Sequence, residues 1–177
     1  KPFSKIRNTS RKYINNCFDL SLEIIRKKKA QFLINGPVSK KHFLKKKFPG
    51  ITEYVAKKTN SKEPVMLIYN KSLAVSPLST HVPIKNVYKF VKKSKIINSV
   101  NKIYKFYKTE LKINPRIAVL GLNPHCETIR KVSEEKKEII PAINNLLKKK
   151  IQVSGPYPAD TFFLKKNISK FDVVLGM

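Results

Sequence analysis

Apolar residues in this chain fall into two patterns that alternate along it. One is the short unbroken run, seen in Ile117-Ala118-Val119-Leu120, in "IQV" from Ile151 and in "VVL" from Val173. Such runs, bounded by turn residues, read as strands buried on both faces. The other is a helical spacing. In "CFDLSLEIIRKKK" it sets Phe18, Leu22 and Ile25, with Leu20, on one side of a helix. "AQFLING" predicts a strand that stops at Gly36, and "PVSKKHFLKKKFPG" a short helix closed by Pro49-Gly50. "ITEYVAKK" predicts a further helical turn or two. "EPVMLIYNKSLAVSPL" predicts two strands with a break at Asn70-Lys71. The stretch from Val82 to Ile113 is long and helical, with Ser94 as a break, and a last helix begins at about Ser133. Strands separated by helices imply an α/β chain: a mostly parallel sheet with helices on both faces, in three layers.

Bulk properties narrow the class. At 177 residues, 41% of them hydrophobic, the chain can bury the core of an ordinary domain. No apolar run reaches the length of a membrane-spanning helix, and the start, "KPFSKIRNTSRKY", lacks the apolar stretch of a secretory signal. The two cysteines, Cys17 and Cys126, make no disulfide framework, so a reduced, cytoplasmic setting is the expectation. The last residues, "FDVVLGM", read as a buried strand cut at its end, which suggests a piece of a longer protein.

A net charge of +27 raises nucleic acid as a partner. Two features count against specific recognition. Arginine, whose fork reads phosphates and base edges, is confined to Arg7, Arg11, Arg26, Arg116 and Arg130. The lysines are spread along the whole chain among abundant Asn and Ile, as biased genome composition would give. A functional basic surface is the competing reading. Both predict weak, salt-sensitive binding to polyanions.

Candidate chemistry sits in the strand-exit loops "NGPVSK", "STHVPIK", "GLNPHCE" and "SGPYPADTFF". Ligands of open α/β sheets bind at such exits. Two of the three histidines fall there: His81 after "SLAVSPL" and His125 after "RIAVLGL". Each could cap its strand by bonding backbone. The two could instead share a metal ion if their strands are neighbours. Cys126 is a further possible ligand, although adjacent side chains seldom reach one ion. Asp160 could cap a helix at "TFFLKK" or support a ligand from behind. His42, in a Lys-rich helical stretch, is expected to be solvated, and Lys40 could meet a phosphate. Glycine-rich dinucleotide loops, phosphate-binding loops, paired CxxC motifs and nucleophile elbows are all missing.

The ordered set "NGPVSK", "FPGITEY", "STHVPIK", "PRIAVLGLNPHCE", "EEKKEIIPAI", "GPYPADTFF", "FDVVLGM" resembles the 4-hydroxythreonine-4-phosphate dehydrogenase family, in register from about Leu20 onward. The resemblance implies a fold like that of the isocitrate and isopropylmalate dehydrogenases: two α/β/α lobes, dimeric, with the active site at the subunit interface. Residues 1–177 would be the central portion, lacking the N-terminal segment and the C-terminal nucleotide-binding part. It implies NAD and a divalent metal (Zn, Mg or Co) as cofactors and a phosphorylated small molecule as substrate, with no specific nucleic acid and no membrane. It further implies that His81 and His125 are metal ligands on sites shared between subunits. The family's third ligand is the His of a Tyr-His-Asp-Gln-Gly motif expected just after Met177. Catalytic acid–base and cofactor-binding residues stay unassigned.

Two departures from the family pattern stand out. The family's substrate loop reads Gly-His-Thr-Glu; here Ile51 replaces the His, while Thr52 and Glu53 remain. After His125 the family reads His-Ala-Gly-Glu and then glycines, where this chain has "HCETIRKVSEE". The implied reaction oxidises 4-phosphooxy-L-threonine by hydride transfer to NAD. Decarboxylation to 3-amino-2-oxopropyl phosphate follows, a step of pyridoxal phosphate synthesis. The rivals are a dehydrogenase for another 4-phosphorylated four-carbon hydroxy acid, a basic nucleic-acid-binding module, and an inactive remnant. Residues 1–177 by themselves are not expected to catalyse.

Overall fold

Four short strands, all parallel, form one sheet in the order β1-β4-β2-β3 in a computed structural model that describes residues 7–45, 47–126 and 132–177. The strands are β1 (Ala74–Pro77), β2 (Ile117–Leu120), β3 (Val153–Tyr157) and β4 (Val173–Gly176). β2 is buried at every position, as its unbroken apolar run requires. Its residues alternate between two cores. Ile117 and Val119 join Val173, Leu175 and Ala74 on one face, covered by Ile96, Val100 and Ile103 of α4 (Lys93–Phe106) and by Ala142, Ile143 and Leu146 of α5 (Ile140–Lys148). Ala118, Leu120 and Val174 join Phe162 on the other, where Phe171 and Ile168 pack; Ile168 ends the short α6 (Lys165–Ile168). Helical structure on both faces of a parallel sheet is the predicted three-layer α/β arrangement.

The chain divides into two compact units between Pro64 and Val65, and the sheet belongs to the second. The first is helical: α1 (Asn8–Arg26), α2 (Lys40–Phe43) and α3 (Ile51–Lys58). Its core is a knot of rings. Tyr54 meets Phe18, Phe43 and Phe48 edge-on at centroid distances of 5.2, 4.9 and 5.5 Å.

Several sequence expectations change. α1 starts well before Cys17, and Leu20 is exposed although Phe18 and Leu22 are buried. "AQFLING" is extended but pairs with no strand among the described residues; Phe32 and Ile34 are exposed and only Leu33 packs on the aromatic core. Of the two strands expected in "EPVMLIYNKSLAVSPL", the first is reduced to a single antiparallel bridge, Ile68 to Val75. The long helical stretch breaks at Phe90–Lys92, after a 3-10 turn over Ile84–Lys89, so Ser94 lies inside α4 rather than at its break. Residues 127–131, which carry the departure after His125, lie outside the described residues.

An ion pair fixes the entry to the central strands. Arg116, just before β2, clamps Asp172, just before β4. Its Nε and Nη2 donate to the carboxylate at 3.1 and 3.0 Å, and its backbone N–H donates at 2.7 Å. The guanidinium holds the Asp172 carboxyl below the usual carboxylate range. A depressed folded-state pKa stabilises the fold above the unfolded value of about 3.9 and is lost as pH falls through the folded value. Asp172→Ala should therefore cost about 1–2 kcal/mol near neutral pH, the partly exposed geometry discounting the full charged bond. The gap between variant and parent in thermal unfolding should close as pH drops below about 4. A gap that persists unchanged to pH 2 would refute this role.

Candidate functional site

Parallel strands put all their C-terminal ends on one edge of the sheet, and the loops leaving that edge are stitched together. At β1, the N–H of Leu78 donates to the Gly176 carbonyl at 2.7 Å, and the Ser79 hydroxyl donates to the Met177 carbonyl at 2.8 Å. These bonds bind the loop leading to His81 to the end of β4. His81 itself is exposed, with a φ of 56°, a left-handed conformation that histidine tolerates better than most residues.

The loop after β2 is built more tightly. The N–H of Gly121 donates to the Tyr157 carbonyl at 2.9 Å, tying β2's exit to that of β3. The Asn123 side chain accepts from the His125 N–H at 2.9 Å, a turn that aims the histidine outward. The Asn123 N–H donates to Oε1 of Glu135 at 2.8 Å. Glu135 is only 1% exposed, so this carboxylate is an internal strut for the loop. Gly121 is required for space: a Cβ there would lie 2.5 Å from Sγ of Cys126 and 3.0 Å from the Asn123 carbonyl. Burial pushes the Cys126 thiol up, which favours a neutral thiol over a thiolate ligand.

His125 is 80% exposed, and its Nδ1 lies 3.4 Å from Oδ2 of Asp160. Asp160 caps no helix, since α6 begins later with Leu164 at its N-cap. It leaves β3 and faces the histidine. At this distance the contact is long for a hydrogen bond, and in solvent it orients more than it stabilises. His81 and His125 do not leave neighbouring strands: β4 runs between β1 and β2. With parallel strands about 4.8 Å apart, the two exits are roughly 10 Å apart, flanking that of β4.

Imidazole is the right donor for a divalent ion. Among the described residues, however, no three of His, Cys, Asp and Glu come close enough together to hold one. The edge offers donors of suitable chemistry without closing a centre around them. Thr52 and Ile51 belong to the first unit, in the first turn of α3 after Gly50. Thr52 is half-buried, and Ile51 packs against the cluster of Phe18, Phe43, Leu44 and Tyr54, so the residue replacing the family's His serves the local core. His42 is half-buried and bonds Ser39 through Nδ1 at 2.9 Å, rather than being freely solvated; Lys40 is exposed.

The sequence profile of the pyridoxal phosphate biosynthetic protein PdxA matches residues 2–177. This chain belongs to the PdxA family. A 4-hydroxythreonine-4-phosphate dehydrogenase from Sulfurihydrogenibium sp. is 36% identical over 169 residues, 93% of this chain and 51% of that protein. A relative from Oceanobacillus iheyensis, whose name assigns it to D-threonate 4-phosphate, is 31% identical over 89% of this chain and 49% of its own length. The chain thus spans about half the length of the curated relatives it matches. The crystal structure of a 4-hydroxythreonine-4-phosphate dehydrogenase from Burkholderia phymatum superposes with a TM-score of 0.82 at 26% identity, covering 99% of this chain and 55% of that one. The α/β fold with its parallel sheet is the isocitrate-dehydrogenase-like fold of the PdxA structures.

Glu135 escaped the sequence reading, although a signal was present. It stands four residues before Ile139 on the apolar stripe of Ile143 and Leu146, where an acid is out of place. Glu135→Ala should leave the Asn123 N–H without its acceptor and cost about 1–3 kcal/mol, whereas Glu135→Gln, which keeps an acceptor oxygen, should cost less. Chemical denaturation of both variants, with the His125 imidazole signals followed by NMR, checks this. Equal stability of Ala variant and parent, with unshifted His125 signals, would remove Glu135 from the site.

Proposed function

We propose that this chain is part of a two-lobed, dimeric PdxA dehydrogenase. The intact enzyme would oxidise 4-phosphooxy-L-threonine with NAD, after which the product decarboxylates to 3-amino-2-oxopropyl phosphate. The observation that carries this reading is the edge of the parallel sheet. There His81 and His125 leave strands on either side of β4, with Asp160 at the back of His125.

In this reading His81 and His125 are ligands of a divalent metal on sites shared between subunits, completed by residues from outside 1–177. A bound metal would lower the pKa of the substrate hydroxyl and withdraw charge during loss of CO2. The chain's own contribution is placement. Asn123 and Glu135 hold the loop that presents His125, and Asp160, facing Nδ1, favours the tautomer that leaves Nε2 free. Thr52 positions substrate. NAD, when bound, would supply the hydride acceptor; it enters through the family, with no residue of 1–177 assigned to it. As atoms balance, the C3 alcohol gives its hydride to NAD and its hydroxyl proton to solvent. The resulting β-keto acid loses its carboxylate as CO2, the electron pair of the broken C1–C2 bond passing into the enolate of the C3 ketone, and C2 then takes up a proton from solvent to give the amino-ketone.

A second reading has one observation in its favour. Ile51 stands where the family's substrate loop carries His, and a relative assigned to D-threonate 4-phosphate matches the chain. That compound carries a hydroxyl in place of the amine at C2, so the same C3 oxidation and decarboxylation apply.

In the intact enzyme, His81→Ala and His125→Ala should each abolish measurable turnover while the circular dichroism spectrum is kept, because even changes behind a ligand cost about 10- to 100-fold. Near-parental turnover in either variant after chelation would end the metal-assisted reading. Turnover of D-threonate 4-phosphate in preference to the amino acid would select the second substrate.

A further inference from the structure

Between β1 and the 3-10 turn over Ile84–Lys89, only His81 has a left-handed backbone, with a φ of 56°. A residue other than glycine carries a steric cost there and keeps that conformation only where its surroundings impose it. His81 is exposed, and among the described residues it makes no hydrogen bond that would impose it.

The constraint comes from anchors on either side. Downstream, the N–H of Asn86 donates to the Pro83 carbonyl at 2.8 Å and fixes the start of the 3-10 turn. Upstream, the N–H of Leu78 donates to the Gly176 carbonyl, which continues the β1–β4 ladder by one rung. The half-buried Ser79 then donates its hydroxyl to the Met177 carbonyl at 2.8 Å. The ladder does not need this bond. Among the described residues, Ser79 is the one side chain from Leu78 to Pro83 that makes a hydrogen bond.

Reach shows what the bond controls. An extended chain spans at most about 3.6 Å per residue, so the Cα of His81 lies within roughly 7 Å of that of Ser79. Ser79 itself touches the exit of β4, the strand that separates β1 from β2. Without its hydroxyl bond the last anchor is Leu78, three residues back, and the reach grows to roughly 11 Å. That exceeds the spacing of about 10 Å between the exits of β1 and β2. His125 has a separate support in Asn123, Glu135 and Asp160, none of which belongs to the β1 loop.

We propose that Ser79 is the positioning residue for His81. Its bond to the end of β4 holds His81 in the left-handed conformation and keeps the imidazole beside the β4 exit. This rests on the reading in which His81 is a ligand of a divalent metal, and it names the residue of this chain that places that ligand.

Ser79→Ala and Ser79→Thr test it in two arms. In the 177-residue chain without metal, NMR follows the backbone and imidazole signals of both histidines. Ser79→Ala should shift or broaden the His81 signals and leave those of His125 in place. Ser79→Thr, which keeps the hydroxyl, should restore the parental His81 signals. In the second arm Co(II) is titrated into the intact protein by calorimetry. Ser79→Ala should weaken binding about tenfold or more, as removing the support behind a ligand does, with an unchanged circular dichroism spectrum. Ser79→Thr should recover it. Parental His81 signals in Ser79→Ala, or equal disturbance at both histidines, would overturn the proposal. So would a loss of cobalt binding that Ser79→Thr does not recover. A parent protein that binds no cobalt would end the metal reading instead, and the first arm would still decide whether Ser79 places His81.

Discussion

The common direction of the four strands is the constraint on which the rest depends. Because β1, β2, β3 and β4 run parallel, every strand delivers its C-terminal end to the same edge, and the loops that carry His81, His125 and Asp160 leave from there. That geometry follows from burial on both faces. Ile117 and Val119 serve one core, Ala118 and Leu120 the other, and strands of that kind are stable only beneath helical layers. The Arg116–Asp172 clamp sets the opposite ends of β2 and β4. The exit loops then lock in pairs, β1 to β4 through Ser79 and β2 to β3 through Gly121.

Much of this was legible in the sequence wherever the signal was local. The fully buried run "IAVL" can be little else than an inner strand, and "GLNP" after it can only turn, so His125 at a strand exit followed directly. His81 followed from the same logic. What could not be read was pairing, which is set by residues far apart in the chain. The insertion of β4 between β1 and β2 is such a fact, and it places a whole strand between the two histidines. "AQFLING" has the composition of a strand, yet a strand exists only with a partner, and among the described residues it has none. Asp160 looked like a helix cap because caps are local; its approach to His125 requires two loops to meet.

Family membership and physical reading support one another at different levels. The motifs name the residues, and the fold explains why they lie where they do. The bulk charge, by contrast, explains little. Among the described residues most lysines lie at exposed positions.

The central proposal is that the sheet edge around β4 would hold a divalent ion in the intact protein. Crystals of the intact protein grown with Co(II), with anomalous difference density measured at the cobalt edge, test it most directly. The account predicts a peak within coordination distance, about 2.0–2.2 Å, of an imidazole nitrogen of His81 or His125 in every subunit. Cobalt bound only at other residues, with both imidazoles free of it, would contradict the account.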